Sequence, residues 1–167
     1  IAATADVTLT NGDINWPNSA YGIQLKGAVT VTDCNLSNGV YDEASGSGPV
    51  FDMYGTAAKA VVNSGNFYAY ADIFRLTKEE NATPTVVING GNFAIGTHGG
   101  TVYGIFYAYK AGCQAAITIN GGTFEDDMFH GFSQWEVVWT EDLLTDACQA
   151  KFKSTGDDLA DYVAPGY

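Results

Sequence analysis

The side chains in this sequence that are suited to acid–base or metal chemistry gather towards its second half. Glu125, Asp126 and Asp127 are consecutive and are followed by His130, and Asp157 and Asp158 form a second acidic pair. Cleavage of a glycosidic bond takes two carboxyl groups on opposite sides of the scissile bond. The same hard oxygen donors suit calcium. The acids follow the spacing of neither an EF-hand loop nor a calcium-binding glycine-rich nonapeptide. Glu125, Asp126 and Asp127 therefore stand as calcium candidates beside the plainer reading of a solvated acidic edge. His98 and His130 lie among glycines with no His or Cys at metal-ligand spacing, and read as loop residues. Nucleophile-elbow, phosphate-loop and dinucleotide motifs are missing from the sequence. No catalytic residue is assigned, the chain is expected not to be an enzyme, and no cofactor is expected.

What would position any such group is a repeat. ITINGGTF at residues 117–124 nearly duplicates VVINGGNF at residues 86–93. AVVNSGNF at 60–67, VTVTDCNL at 29–36 and VTLTNGDI at 7–14 align with them without a gap. The copies begin 22, 31, 26 and 31 residues apart, a period that marks stacked structural repeats. The first four positions alternate and are rich in β-branched residues, as a strand with one buried face requires. Leu9, Val31, Val62, Ile88 and Ile119 share the third position and should form one internal ladder. A corner follows at Asn11-Gly12, Gly65, Asn89-Gly90-Gly91 and Asn120-Gly121-Gly122. These residue types tolerate positive φ and allow a sharp turn. An apolar residue closes each copy: Ile14, Leu36, Phe67, Phe93 and Phe124.

A second repeat lies between the octapeptides, in YGIQL at 21–25, PVFDM at 49–53, ADIFRL at 71–76, YGIFY at 103–107 and HGFSQW at 130–135. Each reads as a short apolar strand. One rung thus carries at least two strands, and like strands of successive rungs should pair in parallel. The expected fold is all-β: a right-handed parallel β-helix, or β-solenoid, of about five to six rungs. Residues 1–135 are expected to form the rungs. Residues 136–167 are expected to form a C-terminal cap or degenerate last rung of the same domain. The cap would contain a short helix over 140–152, N-capped by Thr140, with acids in its first turn and Lys151 and Lys153 near its end.

Composition agrees with one such domain. The 167 residues are 46 % hydrophobic and include 20 glycines. The net charge of −12 is concentrated after Glu125 and argues against a nucleic-acid partner, which needs clustered Lys and Arg. No apolar run is long enough to span a membrane as a helix. The opening Ile1 is expected of a processed or trimmed product. Cys34 fills the corner slot held by glycine in the other copies and is expected to be a small packed thiol. Cys113 and Cys148 can pair or remain free. FYAY at 67–70 and again at 106–109 suggests a binding stripe of Tyr68, Tyr70, Tyr107 and Tyr109, set beside the commoner alternative of rings stacked in the core. Asn35 and Asn81 begin glycosylation sequons.

Two resemblances bear on function. Asp126-Asp127 with His130-Gly131 resembles in part the Asp-Asp and Gly-His-Gly elements of polygalacturonases. However, the span between them is too short, the Asn-Thr-Asp and Arg-Ile-Lys elements are absent, and Arg75 is the sole arginine. More of the chain is similar to the β-helical surface and secreted proteins of gut-type bacteria and of their phages, in which Ile-Asn-Gly-Gly-Thr-Phe units recur. The closing DYVAPGY at 161–167 resembles a Tyr-Val-Ala-Asp-Gly-Tyr-type ending, with Pro165 in place of Asp. This resemblance implies a structural or adhesive module outside the cytoplasm, on a cell surface or on a virion. It implies self-association or binding to other surface or particle proteins, or to a glycan. The rival expectation is a carbohydrate-active β-helix enzyme.

Overall fold

The structure is a computed structural model, and it describes residues 1–17, 20–39, 48–56, 58–76, 83–96, 104–108 and 114–125, with three short strands beyond them. The chain winds in rungs of three strands. The first holds β1 (Asp6–Thr10), β2 (Asp13–Asn15) and β3 (Ile23–Leu25). The second holds β4 (Ala28–Thr32), β5 (Cys34–Asn38) and β6 (Phe51–Met53), and the third β7 (Lys59–Val62), β8 (Gly65–Ala69) and β9 (Phe74–Leu76). The fourth holds β10 (Thr85–Ile88), β11 (Asn92–Ile95) and β12 (Phe106–Ala108). The fifth holds β13 (Gln114–Ile119), β14 (Thr123–Phe124) and β15 (Phe129–His130). A sixth contributes β16 (Val138–Trp139) and β17 (Lys151–Phe152).

Like strands stack in three parallel sheets. The first runs β1-β4-β7-β10-β13-β16, the second β2-β5-β8-β11-β14-β17 and the third β3-β6-β9-β12-β15. This is a parallel β-helix, and the described residues contain no helix. Consequently none of them forms a helix long and apolar enough to cross a membrane.

The register stacks like on like. Leu9 pairs with Val31, Val31 with Val62, Val62 with Ile88 and Ile88 with Ile119. All but Leu9, in the first rung described, are fully buried. The second and third sheets face the same core with aromatic columns. Phe67, Phe93 and Phe124 stack at 4.9 Å between successive ring centroids, with planes 7–12° apart. Phe51, Phe74 and Phe106 form the other column at 5.0 and 5.2 Å. The columns lock edgewise: Phe51 meets Phe67 at 6.1 Å and 41°, and Phe74 meets Phe93 at 6.3 Å and 39°. Offset stacks within a column and tilted contacts between columns are the arrangements that ring quadrupoles prefer.

The corner between the first two sheets takes two forms. In the upper rungs Gly65, Gly91 and Gly122 have φ of 129°, 116° and 120°, a region open in practice only to glycine. In the first two rungs the positive φ moves one residue earlier, to Asn11 and Asp33, both at 53°. That is the left-handed region, which Asn and Asp enter at modest cost. This shift explains why Cys34 can occupy a slot that elsewhere needs glycine. Cys34 is free and buried; its Sγ accepts from Gly12 N at 3.3 Å and donates to the Thr32 carbonyl at 3.4 Å. Gly12, Gly90 and Gly121 are corner residues without positive φ.

The structure corrects two expectations about the C-terminal part. The fifth copy of the second repeat, expected at 130–135, begins one residue earlier, in Phe129–His130, where Phe129 pairs with Phe106; residues 131–135 lie outside the described residues. The expected helix over 140–152 lies outside the described residues except at its end. There Lys151 and Phe152 are in strand β17, pairing with Thr123 and Phe124. The sequence misleads because Phe152 fits the buried face of a helix as well as the next place in the Phe124 row. Strands β16 and β17 thus add one strand each to the first and second sheets, and the rest of 136–167 lies outside the described residues. Cys113 and Cys148 lie outside the described residues.

Two mutations test this architecture. Ile119→Asp puts a carboxylate into the aliphatic ladder and should cost about 4 kcal/mol, read as a fall in Tm of roughly 10 °C. Unchanged melting would contradict the register. At the corner, a Cβ on Gly65 would collide with the backbone of Cys34, whereas one on Gly39 would meet nothing within 4 Å. Gly65→Ala should therefore destabilise by about 2 kcal/mol or more, with Gly39→Ala close to neutral in the same denaturant titration.

Candidate functional site

Outward-facing side chains distinguish the sheets. On the third sheet, one register row runs Gln24, Asp52, Arg75, Tyr107 and His130. Asp52 and Arg75 alternate away from the phenylalanine column and are nonetheless buried, as is nearby Asp72. Gln24 Nε2 donates to Asp52 Oδ2 at 3.2 Å, and the Arg75 guanidinium sits 5.5 Å from the centre of the Tyr21 ring, within cation–π range. Gly104 N donates to Asp72 Oδ1 at 3.4 Å. The row brings an acid and the sole arginine onto neighbouring rungs, a juxtaposition that the sequence conceals because the two residues belong to different repeat copies.

On the second sheet the outward rows are polar. Asp13, Asn35, Asn66, Asn92 and Thr123 occupy one row. Its asparagines form a ladder: Asn66 Nδ2 donates to Asn35 Oδ1 at 2.7 Å, and Asn92 Nδ2 to Asn66 Oδ1 at 2.8 Å. A second ladder lies across the corner, where Asn120 donates to Asn89 at 2.8 Å, Asn89 to Asn63 at 2.9 Å and Asn63 to Thr32 Oγ1 at 3.0 Å. In-register parallel stacking places identical amides one strand spacing apart, so each donor meets the acceptor of the rung before it.

Beside the first ladder runs the row Asn15, Ser37, Tyr68 and Ala94. Tyr68 is the exposed large hydrophobic of the described residues, at 40 %. A Cβ on Gly96 would come within 3.0 Å of Tyr68 Oη and 3.2 Å of Tyr70 Cδ2. The Tyr68 ring therefore leans up the rod, its hydroxyl end seated where Gly96 has no side chain. Small neighbours in its row, Ser37 and Ala94, leave an open recess of about 370 Å³, lined by Tyr68 and the ladder and bordered at its upper end by Thr123 and Glu125.

The residues expected from sequence divide accordingly. Tyr68 and Tyr70 belong to the second sheet side and Tyr107 to the third, so no single stripe unites them; Tyr109 lies outside the described residues. The two FYAY stretches are alike because both sheets alternate inward Phe with outward Tyr, and alternation does not say which sheet a strand joins. Glu125 lines the recess, while Asp126 and Asp127 lie outside the described residues. Among the described residues no three His, Cys, Asp or Glu side chains are grouped to hold a metal ion. Asn35 of the first sequon is a member of the ladder. Sequence reasoning missed Asp52 with Arg75, and the amide ladder. The ladder did carry a signal, the Asn at the seventh octapeptide position in three copies.

Fold and faces together define a class, a parallel β-helix with an amide-laddered outer sheet. Comparison with family models, with curated proteins and with solved structures gave no match.

The ladder yields a stability test. Asn66→Ala removes both bonds of the Asn35–Asn66–Asn92 ladder and should cost about 1–2 kcal/mol by denaturant unfolding. Asn92→Thr, which extends the Thr123 chemistry one rung down, should cost less. Equal losses would show that the amides add nothing beyond side-chain packing.

Proposed function

We propose that this chain is a structural and adhesive β-solenoid module, acting by self-association or by binding a partner protein or glycan on an extracellular, cell or virion surface. One observation carries the reading. The residue types that the sequence repeats are engaged in contacts between rungs: aliphatic side chains in the first sheet, phenylalanines in two columns, asparagines in two outer ladders. The repetition serves a rod of defined cross-section whose outer faces are displayed to a partner. The resemblance to Ile-Asn-Gly-Gly-Thr-Phe surface proteins supports the same placement. The net charge of −12 favours partners without dense negative charge.

A carbohydrate-active enzyme is the second reading, and one observation favours it. Asp52 lies beside Arg75 on the outer row of the third sheet, with Tyr107 above. A carboxylate next to a cation is a combination that can act on a charged sugar, and because both side chains are buried the reading requires this row to open to substrate.

The two readings separate in one set of measurements. Purified protein incubated with polygalacturonate, xylan and mannan should release no reducing ends and form no unsaturated product. Sedimentation and electron microscopy should show association that grows with concentration, or retention on a surface protein or glycan. Sugar release that disappears in Asp52→Asn would replace the structural reading with the enzyme. A strict monomer that binds neither protein nor glycan would remove the adhesive role.

A further inference from the structure

We propose that the recess around Tyr68 on the outer face of the second sheet binds a neutral oligosaccharide lying along the rod; the inference rests on the adhesive reading above and names its ligand. Four features of the recess lead there. First, the Tyr68 ring is exposed, with its hydroxyl end lying close over Gly96, where a side chain would crowd it. An exposed aromatic face offers the flat apolar surface on which the C–H face of a sugar ring stacks.

Second, the amides beside it are half used. An asparagine side chain has two donors and two acceptor sites. Asn66 gives one N–H to Asn35 and receives one from Asn92. The exposed Asn35, Asn66 and Asn92 keep donor and acceptor capacity directed outward, the mixed pattern that vicinal hydroxyls satisfy. Third, these amides repeat once per rung, about 4.8 Å apart, so a linear chain of sugar rings can meet equivalent groups as it runs along the axis. Fourth, the charge selects. Glu125 at the upper end repels carboxylated or sulfated sugars, in keeping with the acidity of the whole chain. The volume of about 370 Å³ lies at the lower end of the range for small-ligand sites, which limits firm contact to a short stretch of glycan.

The test uses the full chain with cellotetraose, chitotetraose and mannotetraose as neutral probes and tetragalacturonate as the charged comparison. Calorimetry and saturation-transfer NMR are the readouts. At least one neutral probe should bind at millimolar concentration or below, with saturation strongest on its sugar-ring protons. Tyr68→Ala should weaken it about tenfold, on the scale of one aromatic contact, with an unchanged melting temperature. Tyr68→Phe should keep most of the affinity. Gly96→Val, which unseats the ring without removing it, should weaken binding in the same direction. Equal binding by wild type and Tyr68→Ala, preference for tetragalacturonate, or no binding of any neutral probe would overturn the inference. Any of these with association intact leaves the adhesive reading standing, whereas cleavage of a probe removes that reading itself.

Discussion

Everything in this molecule depends on stacking in register at one strand spacing. Parallel strands lie about 4.8 Å apart, and that distance is imposed on every side chain that repeats. It falls close to the separation of offset phenyl rings, which here is 4.9–5.2 Å. It also lets the amide of one asparagine reach the carbonyl oxygen of the next at 2.7–2.9 Å. Side chains that pack well on copies of themselves are therefore chosen at inward and outward rows alike. The same rule explains the mixed base of each column. Ile14 and Leu36 begin the row that Phe67 continues, and Ile23 begins the row that Phe51 continues, so stacked rings start in the third rung of one column and in the second rung of the other.

Register also separates what is fixed from what is free to vary. Hydrogen bonds between equivalent ladder residues span 31 residues in one step and 26 in the next, with the same geometry. The difference is taken up in the connections. Rung two passes from β5 to β6 over residues 39–50, whereas rung three passes from β8 to β9 over residues 70–73. The corner between the first and second sheets stays at one to three residues through the first five rungs, where backbone conformation is most constrained, and lengthens to residues 140–150 between β16 and β17. Through the first five rungs the length variation is thus confined to the other two edges.

Much of this was legible in the octapeptide. Its alternation assigned Val31, Val62, Ile88 and Ile119 to the interior, and its identical spacing around the corner set their pairing. The corner was legible only in part. Asn11 and Asp33 adopt positive φ where the copies above use glycine one residue later. A sequence alignment treats those positions as equivalent and cannot show that the strain has moved. The tyrosines were misread for a different reason, since period-two alternation gives a side chain's direction but not its sheet. Asp52 and Arg75 escaped notice because neither belongs to the octapeptide; only the pairing of β6 with β9 makes them neighbours. The candidate recess needed a third dimension too: Gly96 seats Tyr68 from the rung above.

The orientation of the backbone hydrogen bonds has a mechanical consequence. In each sheet they run from rung to rung, along the rod, so tension applied between the two ends loads them in series rather than side by side. The weakest rung-to-rung interface then yields first, and each release sheds a turn of chain while the remaining rungs stay paired. Such a rod would lengthen in steps as successive interfaces release. A rod built this way would give up rungs one at a time instead of breaking through the middle.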